Sequence, residues 1–402
     1  MSNHLVIAGA CVRQHVESAR RAGLEPLGID LFADWDTCQS APCIRAQTLD
    51  EIAEIMDKHV RDHWVLTGGL EHAFLQVGGD QLPNGFLGPD LKAFKQISNL
   101  DDLARLVSAI GFSFPLTSRQ PFCPRGDWLQ KPDLSAGGLR IRNADPGQRR
   151  QRGHHFQQRI PGTPVSAVFL TDSAGTHLLG ASFQLLGQHF GRTTSAFAYA
   201  GSIGPLLLAS AVREPICRFG ERLGSALPLK GVWGTDFIIG NGTLHPVDIN
   251  PRMTASCDLF ERVGQVPSFV SLHASACREP MGNVACDVPR QAHPSYIIGK
   301  AVAFSAADHP IEINPARHRQ LVELRGSEPP YRLADIPVPG TFIPSHGPIC
   351  TVYETMDCPG LRFGNDPQMR EPRIPRSAEK MLNRLRKRVS NLNTQLECSC
   401  TD

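Results

Sequence analysis

Residues 231–252 read GVWGTDFIIGNGTLHPVDINPR, and no other stretch restricts the fold of this chain as tightly. Residues 232–239 and 244–249 are rich in β-branched and aromatic side chains, and Gly240, Asn241 and Gly242 between them are a strong turn signal, so the pattern predicts a β-hairpin. Pairing of the two strands sets Asp236 near Asp248 and Asn250. Because side chains alternate along a strand, Asp248 and Asn250 share a face. Adjacent carboxylates repel unless a hard cation lies between them, and oxygen-only donors suit magnesium, which shares its shell with substrate phosphates. A solvated hairpin carrying unrelated acids would have the same letters, so other parts of the chain must decide.

The chain of 402 residues exceeds one ordinary core and predicts about two to four domains or subdomains. Its hydrophobic share of 41% with 20% charged residues is globular, and a net charge of +2 argues against a nucleic-acid partner held by bulk electrostatics. The apolar run at residues 5–10 has no cationic region before it and no stretch approaches membrane-spanning length, so the expected location is cytoplasmic, without a membrane partner. The 12 cysteines are scattered without a Cys-x-x-Cys pair, which predicts reduced thiols rather than a disulfide framework. Cys398 and Cys400 form the one close pair, read as a frayed tail or as a metal or redox pair. Cys257 is read as a core thiol.

Along the chain, residues 4–10 read as a buried strand ending in glycine, 14–23 as a helix and 25–30 as a second strand, followed by Asp30, Asp34 and Asp36. This order predicts a doubly wound α/β domain. Only Gly9 of a dinucleotide glycine triplet is present. A helix over 49–63, a strand over 63–66 and a loop at Thr67, Gly68 and Gly69 complete this unit, which should close near residue 93. In an open α/β sheet ligands gather at the carboxyl ends of the strands, so the loop 9–13 should face a cleft. Arg13 there either pairs with a substrate anion or starts the helix and points to solvent.

Apolar residues at helical spacing predict a helix over 100–110, with Asp101 and Asp102 in its first turn and Gly111 ending it. In DWLQKPDLSAGGLRIR, residues 128–131 and 139–142 resemble two antiparallel strands. The connection through Ser135, Ala136, Gly137 and Gly138 is small enough for backbone N–H groups to approach an anion, with Lys131 at its base; an ordinary flexible turn would look the same. The basic run at Arg149, Arg150 and Arg152 is a solvated loop or meets an anionic substrate. Strands are expected at 165–170, 178–184 and 196–200, and helical segments over 205–223. Strand-like runs at 296–299, 341–343 and 349–353 predict a small β-rich unit. Residues 380–389 read as a basic amphipathic helix, a surface or subunit contact.

Taken in order, these parts resemble the ATP-grasp superfamily of ligases over residues 4–262. IAGACVRQHVESARRAGLEPLGID is similar to the family's N-terminal pre-grasp domain, and FLGPDLKAFKQISNLDDLARLVSAIGFSFP to the helices that lead into its first nucleotide-binding subdomain. QKPDLSAGGLRIR resembles the Lys-Pro strand and phosphate loop, FQQRIPGTPVSAVF the adenine hinge, and GTDFIIGNGTLHPVDINPR the metal hairpin. The resemblance implies an ATP-grasp fold of α/β (α+β) class: a doubly wound pre-grasp domain at 1–93, a two-subdomain nucleotide- and metal-binding clamp at 94–285, a small β-rich C-terminal domain at 286–372 resembling that of biotin carboxylases, and a basic helical tail at 373–402.

It also implies ATP and Mg2+ as cofactors. Lys131 would contact the α- and β-phosphates under a flap of Ser135, Ala136, Gly137 and Gly138. Gln157, Gln158, Arg159 and Ile160 would supply adenine contacts, mainly through backbone groups. Asp236, Asp248 and Asn250 would hold two magnesium ions, and Arg252 would steady the transferred phosphoryl group. The family often has Glu where Asp248 and Gln157 stand, and a Lys where Ser98, Asn99 and Leu100 stand. TPVSAVFL, SFQLLGQ, FAYAGSIGPLLL and ADIPVPGTFIPSHGPICTVYE look most similar to predicted carboxylate-amine ligases of one-carbon cofactor (methanofuran and tetrahydromethanopterin) type, including tyramine-glutamate ligase. The implied activity is amide formation from a small-molecule carboxylate and an amine through an acyl-phosphate, with a homodimer as one possible assembly. Activation of bicarbonate by a carboxylase-like enzyme, or nucleotide binding without catalysis, are the alternatives.

Overall fold

The computed structural model describes residues 3–398 apart from 60–62, 72–74, 76–83, 134–136, 192, 194, 241, 265, 267, 279–294, 329, 359–360 and 365–374. Ser135, Ala136, Asn241, Cys400 and the side chain of Cys398 therefore lie outside the described residues.

The chain opens with a four-stranded parallel sheet. His4–Ala8 pairs with Glu25–Asp30 on one side and His63–Leu66 on the other, and Cys43–Arg45 extends the second strand. Leu5, Val6, Ile7 and Ala8 are all buried, as a parallel strand covered on both faces requires. The first helix, Arg13–Arg21, begins one residue before the expected start; the Asp30 carboxylate, at the end of the neighbouring strand, accepts from the Val12 N–H at 3.1 Å. Gly9 is required by crowding, since a Cβ there would stand 1.8 Å from Thr67 Oγ1.

Helices Leu91–Ser98 and Leu100–Ala109 lead into a small antiparallel sheet ordered Thr117–Ser118, His154–Gln158, Trp128–Pro132, Arg142–Ala144. Asn99 caps the second of these helices by accepting from the Asp101 and Asp102 N–H groups. The expected strand at 139–142 is displaced: the partner of Trp128–Pro132 is Arg142–Ala144, and residues 137–140 form a turn. Positive φ at Gly137, Gly138 and Arg140 keeps that segment out of a ladder.

An eight-stranded antiparallel sheet follows, in the order Thr243–Asn250, Gly231–Gly240, Thr163–Asp172, Gly175–Leu186, Tyr199–Gly204, Tyr296–Phe304, Pro348–Asp357, Leu333–Ala334. Helix Ser210–Ala226 packs its Ile216, Phe219 and Leu223 onto one face. The approach is close enough that a Cβ on Gly220 would lie 2.4 Å from the Phe169 ring. On the other face, Val168, Leu170 and Val232 share a core with Leu5, Ile7 and Val12 of the first sheet and with Phe260 and Phe269. That core fixes the N-terminal unit against the large sheet.

One expectation about the C-terminal third is corrected. Tyr296–Phe304 pairs with Tyr199–Gly204, Gly201 opposite Ala301, so three described strands of the expected β-rich unit, Tyr296–Phe304, Leu333–Ala334 and Pro348–Asp357, extend the large sheet, while Ile311–Ile313 and Thr341–Ile343 pair with each other. Alternation in a strand tells which face is buried but not which sheet the strand joins. The basic helix, Arg376–Cys398, lies at the surface with its basic residues turned outward and packs by its apolar face, Met381, Leu385, Leu392 and Leu396 being buried in the main core.

Candidate active site

The hairpin forms as its sequence predicts, with Asp236 directly opposite Asp248 and Gly234 opposite Asn250. Directly opposed residues in an antiparallel pair point to one face, so the two carboxylates stand side by side. A register shift between Asp236 and Phe237 re-aims the strand at that point. Gln184, from the adjacent strand but one, donates to Asp236 Oδ2 at 3.1 Å. Burial and then the charge of Asp248 push the Asp236 carboxyl up to about 6, against hydrogen bonds from Ser166 and Gln184 and the charge of Arg252. Three hard oxygen donors with surplus negative charge fit a divalent cation of the magnesium class.

Lys131 comes from the small sheet. Its Nζ donates to Gln157 Oε1 at 3.0 Å across the paired strands. Burial lowers its pKa, while the charges of Asp248 and Asp236 act to raise it. Of the glycine flap, Gly137 and Gly138 are described. The Gly137 carbonyl accepts from the Tyr199 N–H at 2.8 Å, and a Cβ on Gly138 would lie 2.2 Å from the Phe197 carbonyl oxygen. Glycine here permits contact with the large sheet, a reason for the residue type that differs from phosphate access. At the hinge, the Gln158 and Arg159 N–H groups donate to the Leu116 and Asp127 carbonyls at 2.8 and 2.9 Å. Those two donors are engaged within the protein.

Arg252 is held by a residue that sequence reasoning missed. Its Nε donates to Glu71, which follows the 67–69 loop, its Nη2 donates to Asn250 Oδ1 at 3.0 Å, and its Nη1 to the Met253 carbonyl at 3.1 Å. Burial works against the Glu71 charge, but Arg252 and the Gly69 N–H outweigh it and hold the carboxyl below its usual range. The available signal was a lone acid after a Thr-Gly-Gly loop, which has no meaning until Arg252 is placed beside it.

Arg13 is corrected on one of its two expectations. It does not point to solvent, being 1% exposed. Its guanidinium is committed to Asp335 at 2.6 Å, Glu17 at 2.9 Å, Tyr353 at 3.1 Å and Asp258 at 3.4 Å, so a substrate anion could reach it only by displacing these partners. Lys300 joins the network through the Ala255 carbonyl at 2.9 Å and Asp258 at 3.5 Å. Arginine suits this position because its fork reaches several acceptors at once.

The small sheet bearing Lys131 and the large sheet bearing the acidic hairpin are joined through residues 159–162. Residues 101–256 match a family model described as an ATP-grasp domain, and the chain has the ATP-grasp fold. No curated protein matches it in sequence. Among solved structures it is similar to carboxyaminoimidazole ribonucleotide synthase from Aspergillus clavatus, complexed with ATP, at a TM-score of 0.66 and 12% identity over 97% of this chain and 99% of that one. The biotin carboxylase domain dimer of Hydrogenobacter thermophilus 2-oxoglutarate carboxylase, solved with MgADP, ADP and bicarbonate, gives a TM-score of 0.64 and 12% identity over 90% and 87%. L-amino acid ligase from Bacillus licheniformis gives a TM-score of 0.57 and 13% identity over 88% and 93%. Among the described residues no helix is long and apolar enough to cross a membrane.

Proposed function

We propose that the protein is an ATP-dependent carboxylate-amine ligase. The observation that carries this reading is the directly opposed pair Asp236 and Asp248 on the large sheet, in a fold whose small sheet presents Lys131 held by Gln157. Asp236, Asp248 and Asn250 would hold Mg2+, Lys131 would contact the phosphates, and the hinge 157–160 would receive the base. Bound magnesium and ATP supply a phosphoryl group whose charge is neutralised for in-line attack. The chain's own part is positional: Lys131 orients the phosphates, Arg252 faces the transferred group, and Glu71 keeps Arg252 in place. A substrate carboxylate takes the phosphoryl group, and an amine then displaces phosphate to give the amide.

Screening acids and amines for ADP release tests this. Turnover should require both substrates, and oxygen label in the acid should appear in the released phosphate. Glutamate with tyramine is the first pair to try, given the motifs similar to tyramine-glutamate ligase. The likeness to a biotin carboxylase domain solved with bicarbonate favours one second reading, in which bicarbonate is the acid; ADP release with bicarbonate and no other carboxylate would establish it.

A further inference from the structure

One imidazole on the face of the small sheet that bears Lys131 has no part in the site described so far. His155 stands directly opposite Lys131 in the pairing of His154–Gln158 with Trp128–Pro132, so the two side chains share a face. Gln157, which holds Lys131, lies on the same strand and the same face. The His155 Nδ1 is 3.0 Å from Asp133 Oδ1. A carboxylate only accepts, so Nδ1 carries the hydrogen and Nε2 is the open nitrogen. The residue is 4% exposed, and Nε2 has no hydrogen-bond partner among the described residues. Buried polar atoms ordinarily find partners, so a nitrogen left open beside Lys131 points to a missing one.

The charged groups around the ring set its state. Lys131 and Asp133 act on it from the neighbouring strand and the residue that follows that strand, and Arg119, whose Nη1 is 3.7 Å from Asp133 Oδ2, from the segment after Thr117–Ser118. Burial, with the charges of Lys131 and Arg119, pushes the imidazole down to about 4 against the pull of Asp133, so the ring is neutral near pH 7. Phosphate bound at Lys131 would cancel part of that repulsion and bring negative charge to the same face, and both changes favour the protonated ring. Asp133 is fixed for the purpose: its N–H donates to the Gly153 carbonyl at 2.8 Å, and its side chain already meets Nδ1.

We propose that His155 is a second phosphate ligand of the small sheet: as the nucleotide binds, Nε2 takes one proton from solvent and donates it to a phosphate oxygen, while Asp133 holds the ring through Nδ1. This role rests on the nucleotide site proposed above and adds to it a positive charge that the free protein does not carry. The only bond formed is the Nε2–H bond, and its proton returns to solvent when the nucleotide leaves. Nucleotide binding is thereby coupled to proton uptake. Because the bound ring has the higher pKa, the coupling strengthens affinity as pH falls toward that value.

The test is calorimetry of the full chain with a non-hydrolysable ATP analogue in saturating Mg2+ at pH 7, repeated in two buffers of different ionisation enthalpy so that affinity and proton uptake are read together. His155→Leu should bind the analogue about tenfold or more weakly and take up fewer protons than wild type. His155→Gln keeps a neutral donor, so it should recover much of the affinity and none of the proton uptake. Asp133→Asn should reduce the uptake as well. Wild-type affinity with wild-type uptake in His155→Leu overturns the role. Should that variant fail to fold by circular dichroism, His155→Gln decides, and full proton uptake in it is equally fatal. Failure of the wild type to bind the analogue would overturn the nucleotide site and this role with it, whereas the other outcomes leave that site standing.

Discussion

Lys131 Nζ and Gln157 Oε1 are 3.0 Å apart, on neighbouring strands of the small sheet. Gln157 thus aims the ammonium without neutralising it, leaving the charge for a phosphate. A charge-assisted hydrogen bond contributes about 1.5–3 kcal/mol, so Lys131→Ala should weaken binding of a non-hydrolysable ATP analogue roughly 10- to 100-fold. Calorimetry reads this directly, and equal affinities for the two proteins would remove Lys131 from the nucleotide site.

Asp248→Asn should abolish turnover while the fold persists, because the residue is exposed on the hairpin and its loss removes one of two charges that would hold the metal. ADP release near the wild-type rate, with an unchanged circular dichroism spectrum, would make the hairpin purely structural.

The raised Asp236 pKa predicts a pH dependence with a definite sign. Its folded value of about 6 exceeds the ordinary 3.8, so the folded state holds the proton more tightly than the unfolded chain. Stability from this group is therefore present at low pH and is lost as pH rises from about 4 through 6. In chelator, the Tm of wild type should fall over that window relative to Asp236→Asn. Added Mg2+ should raise the wild-type Tm at pH 7 and much less at pH 5, where the proton competes. A flat difference between the two proteins across the window contradicts the assignment.

Glu71→Gln should lower kcat while leaving ATP affinity nearly intact. The substitution removes the charge that fixes Arg252 but touches nothing on the small sheet. A loss of about tenfold or more is expected from a misplaced phosphoryl-facing group. If ATP affinity falls in parallel with kcat, Glu71 supports the lobe as a whole and not Arg252 in particular.

Arg13→Lys should destabilise the protein without a selective change in any substrate KM. One ammonium cannot reach Asp335, Glu17 and Asp258 together, and a buried pair broken from one side costs about 3–5 kcal/mol. A clear fall in Tm is the expected result; a wild-type Tm with a raised KM for one substrate would restore the substrate-binding reading.

The sequence by itself determined what is local. Alternation and a glycine turn predicted the hairpin and set Asp236 near Asp248 and Asn250, but the register that runs from the turn would place Asp236 opposite Val247, and the shift between Asp236 and Phe237 is what brings Asp248 opposite it. The apolar run of His4–Ala8 and the spacing of Leu100–Ala109 were equally legible, because a strand or helix reports its own period. Only the tertiary structure decided what depends on distant segments meeting. Glu71 and Arg252 lie 181 residues apart, and Arg13 and Asp335 lie 322 apart. No periodicity encodes such encounters. The same limit hid the place of Tyr296–Phe304 in the large sheet: a strand's pattern specifies its buried faces, while its neighbour is chosen by the packing of the whole core.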